Sequence, residues 1–532
     1  MHIASVTARF IADRHAVVRG SNPRGRIFFR RLVSTRGVET PFSLRPLHLA
    51  RATCSSLWFA MGVNALAVFA RPGRALSTAV LLWVGAWGLY YTLQEVKRCY
   101  VLAVRRRKHP LRRRQGSDAD WFGHADTQER EHIVKRFRSL TFCGRYLNVT
   151  PEWREQGMWE WAWWKCVHSV FFNWRFGWDG GIARTIRERG GREYLEALLP
   201  VRPLDSERLW GTSRDTEAVP AAPATGVSVT WYVVRRWTAT TNSRIGQSTC
   251  LVQMHGVTIL TDPAFGDQPL VSRLSPRRMR PMPCSFRDLV DLGRIDVVLL
   301  SHNHYDHLDL TIARDVPATA QWIVPTGVAQ LLVGAGVARA RITELGWWDE
   351  HELLRTVHVR GASDAVERRL DIAAVPASHW SARTLLDTNR SLWNSYVVRC
   401  AGRGSGRSVS LFFCGDSGYS ESLFTAIGRM YGPFDVGLIP IGSYEPRWHL
   451  HLQHVDPEGS VAIARAIGVR QAFAMHWGTW SLSGTSLGRA RTDADEHWDD
   501  PARDLLAALD AAAIPRASFR TLAFGGTETV IA

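Results

Sequence analysis

The nine residues Ser301-His-Asn-His-Tyr-Asp-His-Leu-Asp309 carry three histidines and two aspartates, directly after the apolar run Ile295-Asp-Val-Val-Leu-Leu300. Imidazole and carboxylate are the donors zinc accepts where it must keep an exchangeable position, so a set without thiolates points to a catalytic site over a closed structural one. In an extended segment alternate side chains point the same way, which lets His302 and His304 grip one ion while Asp306 and His307 turn toward a second. Packing is a poor explanation for so many ionisable groups in one place, because burying them unpaired carries a desolvation cost.

Such a cluster needs a rigid frame. His379, Asp416 and His476 each follow an apolar run (Ile372 to Val375, Leu411 to Cys414, Ala472 to Met475), so each is expected at a strand end, as the first cluster is. Short β-rich runs predict strands over 227–234, 249–254, 258–261, 295–301, 321–324, 370–375, 395–400, 409–414, 436–440 and 471–476. Helical patterns cover 308–315, 420–431, 457–467 and 501–513. Strands with interspersed helices in this proportion indicate an α/β fold of two packed sheets faced by helices.

His-x-His-x-Asp-His after a strand resembles the signature of the metallo-β-lactamase superfamily, an αβ/βα sandwich with metals at one edge. The segments SHNHYDHLD, TDPAFGD, GWWDEHEL, VPASHWSARTLLDTNRSLW, FCGDSGY, GPFDVGLIPIGSYEPRW, QHVDPEGSVAI and MHWGTW are similar, in order, to those of the N-acylphosphatidylethanolamine-hydrolysing phospholipase D family. Gly144-Arg-Tyr-Leu-Asn148 resembles that family's entry motif, so the likeness runs from about residue 142 to the C-terminus. The resemblance implies that His302, His304 and His379 hold one zinc and Asp306, His307 and His476 another, with Asp416 bridging the two ions. It places Tyr305, Gln453 and His454 at or beside the site, where they would orient a phosphate or protonate a leaving alkoxide. Asp262, after a β run, is expected to hydrogen-bond a ligand histidine and fix its tautomer. Trp380 and Trp448 are ring candidates for an acyl pocket.

The reaction so implied is attack of a metal-bridging hydroxide on the phosphorus of N-acylphosphatidylethanolamine, giving N-acylethanolamine and phosphatidic acid without a covalent intermediate. No His-x-Lys pair occurs in the chain, which excludes the histidine-based phospholipase D mechanism. One turn departs from the family: where relatives carry Gly-His-Ala/Ser, this chain reads Gly246-Gln-Ser-Thr249, and residues 235–244 look inserted before it.

The net charge of +17 is an N-terminal property. Residues 1–150 hold 26 Lys and Arg against 8 Asp and Glu, whereas residues 151–532 hold 40 against 41. A broadly basic groove for nucleic acid is therefore disfavoured in the catalytic region. Residues 1–52 read as a basic arm or targeting segment. Residues 53–115 hold two apolar runs, 53–70 and 75–93, flanked by positive charge, which is the pattern of a membrane hairpin. Residues 116–226 form a Trp-rich entry region ending in the Pro- and Ala-rich linker 213–226, and 227–532 the catalytic domain. The scattered cysteines, eight in number with no C-x-x-C pair, suggest neither a disulfide framework nor a thiolate metal site.

The partners expected are a glycerophospholipid and a membrane surface, with no nucleic acid, and the family adds a homodimer. The catalytic domain would face the cytosol or, for a mitochondrial membrane, the matrix. The same scaffold could serve a lactonase or another phosphodiesterase, and an RNA-processing nuclease recruited by the basic arm is the reading from outside lipid chemistry. Gly484-Thr-Ser-Leu-Gly488 fits a nucleophile elbow by letters alone, with no strand-turn-helix context around it.

Overall fold

The computed structural model describes residues 72–106, 123–154, 190–202, 227–230 and 240–530, apart from 271–274, 293–294, 359–364, 385, 402–407, 481 and 483–499. The basic arm, the apolar run 53–70, all the tryptophans of the entry region except Trp153, the linker and the Gly484–Gly488 stretch lie outside these residues.

Two mixed sheets build the catalytic domain. The eight-stranded sheet runs Thr527–Val530, Val227–Thr230, Thr240–Gly246, Thr249–Met254, Val257–Thr261, Val297–Leu299, Gln321–Pro325 and Ile342–Leu345. Its last four strands are parallel. The seven-stranded sheet runs Glu350–His358, Ala365–Pro376, Asn394–Cys400, Val409–Phe413, Phe434–Pro440, Val469–Met475 and Phe519–Arg520.

Strands buried on both faces explain the continuous apolar runs in the sequence. Val297 and Leu299 join the core that both sheets share, while their neighbours Val298 and Leu300 pack into a second core with Leu289, Trp322 and Leu332 on the other face. The same period of two divides Ile259 from Leu260 and Ile323 from Trp322. Helices Glu421–Tyr431 and Asp500–Ala511 present Phe424, Ile427, Leu505 and Leu509 to the shared core. Phe137, Leu140, Leu147 and Val149 pack there too, so the entry motif contributes to the catalytic core itself.

One expectation needs correction. The helix expected over Leu308–Asp315 is reduced to a 3-10 turn, Ala313–Asp315. The Asp309 carboxylate accepts from both the N–H and the hydroxyl of Thr311 at 2.9 and 2.6 Å. A local side-chain acceptor of this kind competes with helix. The second apolar run lies in the helix Pro72–Arg106, but no helix among the described residues is long and apolar enough to cross a membrane. Trp83, Trp87, Tyr90, Tyr91 and two glycines dilute the run.

Candidate metal centre

The seven candidate ligands come from segments that follow the C-terminal ends of strands at one edge of the sandwich. His302 lies three residues past Leu299, His379 three past Pro376, Asp416 three past Phe413, and His476 directly after Met475. Aromatic packing fixes the His379 arm: Trp393 is fully buried, its indole N–H donates to the Ala377 carbonyl at 2.9 Å, and its ring meets Trp347 edge-on at 5.9 Å. Asn148, the last residue of the entry motif, donates to the His379 carbonyl at 2.6 Å, and Tyr146 N–H reaches the Asn389 carbonyl.

The Asp416 loop needs two glycines for close approach. Gly415 sits at φ +60°, and a Cβ there would lie 2.5 Å from the Ser301 side chain; at Gly418 it would lie 2.2 Å from the Leu452 carbonyl. Helix Pro457–Ala466 starts where it does because Asp456 caps it, accepting from Gly459 N–H at 2.8 Å with Pro457 in the first turn. That cap sets Gln453 and His454 in the loop just ahead of it.

These arms bring the seven residues together in two groups. In the first, ligand atoms of His302, His304 and His379 lie within 4.8 Å of one another. In the second, Asp306, His307, Asp416 and His476 meet the same limit. Asp416 joins them. One of its oxygens is 3.1 Å from His307 Nε2, 3.0 Å from His476 Nε2 and 3.8 Å from His379 Nε2. His454 completes a third group with His379 and Asp416, its ring stacked on His476 at 5.2 Å.

The surrounding hydrogen bonds set the tautomers. Asp262, at φ +34°, is 2.6 Å from His307 Nδ1 and 2.6 Å from the Ser301 hydroxyl, which lies 2.9 Å from His302 Nδ1. A single carboxylate thus orients a histidine of each group. His379 Nδ1 is 3.0 Å from the Gln453 carbonyl, so Gln453 contributes its backbone to the site. Arg383 escaped the sequence reading: one guanidinium nitrogen donates to the carbonyls of Asn303, His304 and Leu308, and the group stacks 3.9 Å over the Tyr305 ring. The Tyr305 hydroxyl in turn donates to the Arg383 carbonyl at 2.6 Å. Trp380 meets His304 edge-on at 4.4 Å, whereas Trp448 is about half exposed on the short helix Arg447–Leu450.

Charge divides the two groups. Burial holds His304 and His379 at about 3 and His302 well below its ordinary value, so all three are neutral imidazoles. In the second group burial opposes charge but is outweighed: the carboxylates of Asp416 and Asp306 push His476 up to about 9 and His307 well above the usual histidine range. The facing histidines in turn hold Asp306 and Asp416 well below the usual carboxylate range against their burial. His454 is held at about 3 by burial.

A divalent cation fits this arrangement. His304 Nε2 and Asp416 Oδ1 are buried without hydrogen-bond partners, and buried polar atoms are otherwise rarely left so. Nitrogen and carboxylate donors converging within a few ångströms are what a catalytic metal takes.

Comparison with known proteins agrees with the fold. Residues 257–477 match the beta-lactamase superfamily domain. The chain is 31% identical to the N-acyl-phosphatidylethanolamine-hydrolyzing phospholipase D 1 of Caenorhabditis elegans, over 49% of this chain and 70% of that protein. It is 35% identical to the mitochondrial N-acyl-phosphatidylethanolamine-hydrolyzing phospholipase D of Saccharomyces cerevisiae, over 46% of this chain and 48% of that one. Among solved structures, a metallo hydrolase from Ignicoccus hospitalis is similar with a TM-score of 0.37 and 18% identity, covering 55% of this chain and 98% of that one. The chain is a metal-dependent hydrolase with the αβ/βα metallo-β-lactamase fold.

Proposed function

Because the chain belongs to the N-acyl-phosphatidylethanolamine-hydrolysing phospholipase D family, we propose that it hydrolyses N-acylphosphatidylethanolamine at the phosphodiester bond to the N-acylethanolamine. Water adds at phosphorus, the bond to the N-acylethanolamine oxygen breaks and that oxygen takes up a proton, leaving phosphatidic acid. His302, His304 and His379 would hold one zinc, and Asp306, His307 and His476 a second, with Asp416 shared. When bound, such a pair supplies Lewis acidity and a hydroxide nucleophile at neutral pH.

The observation that carries this reading is the position of Asp416, with one oxygen within reach of His307 and His476 on one side and His379 on the other. A single carboxylate facing both groups is the arrangement a two-metal site requires. His454, neutral by burial and beside Asp416 at 3.6 Å, suits a hydrogen bond to a phosphoryl oxygen better than proton delivery to the leaving group. Tyr305 and Gln453 hold the loops that carry His304 and His379.

The substrate implies a membrane surface, and the Arg-rich N-terminus together with the mitochondrial name of the yeast relative supports a mitochondrial one. Purified protein should be given N-acylphosphatidylethanolamine, phosphatidylcholine and a tRNA precursor, with and without chelator, in ¹⁸O-labelled water. Chelator-sensitive release of N-acylethanolamine with label in phosphatidic acid is expected. Cleavage of only the RNA, or unlabelled phosphatidic acid, would overturn the assignment.

A further inference from the structure

The turn Gly246-Gln-Ser-Thr249 joins the strands Thr240–Gly246 and Thr249–Met254 and holds Gln247 at φ +50°. Glycine and asparagine occupy that backbone region readily; a glutamine there pays conformational strain, of the kind that concentrates at functional sites. His476 sits at φ +59° and Asp262 at +34°, so three such residues surround the metal centre. Gln247 is buried and held at three points. Its N–H donates to the Thr479 hydroxyl at 2.6 Å, its carbonyl accepts from His476 N–H at 2.9 Å, and its side-chain Nε2 donates to Asp306 Oδ2 at 3.0 Å. The same Asp306 oxygen lies 3.4 Å from His476 Nε2.

We propose that Gln247 is a positioning residue that clamps Asp306 and His476, which are far apart in the chain, into the geometry of the carboxylate-rich metal position. The backbone half of the clamp fixes where His476 leaves its strand. The amide half selects the rotamer of Asp306 and occupies one lone pair of Oδ2, leaving another for a cation. Asparagine would satisfy the turn at lower strain, but its amide falls one methylene short of Asp306. The extra length of glutamine therefore has its explanation in the metal site.

This inference rests on the metal-centre reading, and the test separates the two. Apoprotein of the wild type, Q247N, Q247M and D306N is titrated with Zn²⁺ against a chromophoric chelator, and thermal unfolding of each apoprotein is followed by circular dichroism. Wild type is expected to bind two equivalents, and both Gln247 variants to bind one of them about 10- to 100-fold more weakly. Apo Q247N should unfold at or above the wild-type temperature, because asparagine is favoured in the turn. Wild-type zinc affinity in Q247N and Q247M, with D306N weakened, would overturn the clamp alone, as would a loss of affinity that merely tracks a lower apo unfolding temperature. Equal binding by wild type and D306N would overturn the metal centre itself.

Discussion

The two halves of the site stand within a few ångströms of each other yet solve different electrostatic problems. In the imidazole half, His302 and His379 are buried, His304 is partly so, and all three are neutral, with no net charge to balance until a cation arrives. In the carboxylate half, two aspartates face His307 and His476, whose raised proton affinity supplies the positive charge the acids need. One half is ready for metal; the other must exchange protons for it. That difference lets the two positions be told apart by pH, and Asp416, which touches both, is where the distinction ends.

Asp416→Asn should break the comparison outright. It removes the shared carboxylate while keeping shape, so kcat should fall by at least about 10²- to 10³-fold, taking the loss of one transition-state donor as a floor. Metal content by elemental analysis should fall in both halves together. Loss from one half with the other intact would mean that Asp416 serves only one position.

The pH dependence of zinc binding sharpens the contrast next. His476, at about 9, and His307 hold protons that a metal must displace, so affinity at that half should fall about tenfold per pH unit for each proton as pH drops below about 9. The imidazole half should bind without pH dependence down to about 4, since burial holds His304 and His379 at about 3. For the apoprotein the sign reverses. The folded value for His476 lies above its unfolded one of 6.5, so its contribution to stability is complete below that value and is lost as pH rises through about 9. Thermal unfolding of apoprotein between pH 7 and 10 should show the decline.

How much of this was legible beforehand follows from where each signal resides. The seven candidate ligands could be read because the histidine-aspartate cluster, His379, Asp416 and His476 all follow apolar strands. The strand Glu350–His358 was not anticipated, because it is an edge strand and its Glu-His-Glu-Leu-Leu-Arg composition lacks the apolar run that marks a buried one. Arg383 was invisible for a different reason: it acts on carbonyls 75 to 80 residues away, and a backbone acceptor has no signature in sequence. The turn that holds Gln247 stood out only as a departure from the family, because the carboxylate it meets lies 59 residues away.

Arg383→Met tests how far the imidazole half depends on its loop. The variant keeps the stem but removes the donor shared by the Asn303, His304 and Leu308 carbonyls, which should cost about 2 kcal/mol by urea unfolding. Zinc affinity should weaken more at the His304 position than at His476, and equal weakening would show that the loop moves as one body. Lysine at 383 should recover only part of the loss, since it lacks the fork that spans several acceptors.

Tyr305→Phe gives the smallest effect and separates support from chemistry. The Tyr305 hydroxyl is already committed to the Arg383 carbonyl at 2.6 Å, and its ring lies under the Arg383 guanidinium, which phenylalanine preserves in part. Removing one hydroxyl from a partly exposed position leaves the carbonyl open to water, so about 1 kcal/mol of stability should go and kcat should stay near the wild-type value. A drop in kcat of about tenfold or more, equivalent to about 1.4 kcal/mol of transition-state stabilisation, would show that the hydroxyl leaves Arg383 to meet the substrate. The loop would then be rearranged in the working enzyme, and the imidazole half would owe its geometry to the bound lipid as well as to the fold.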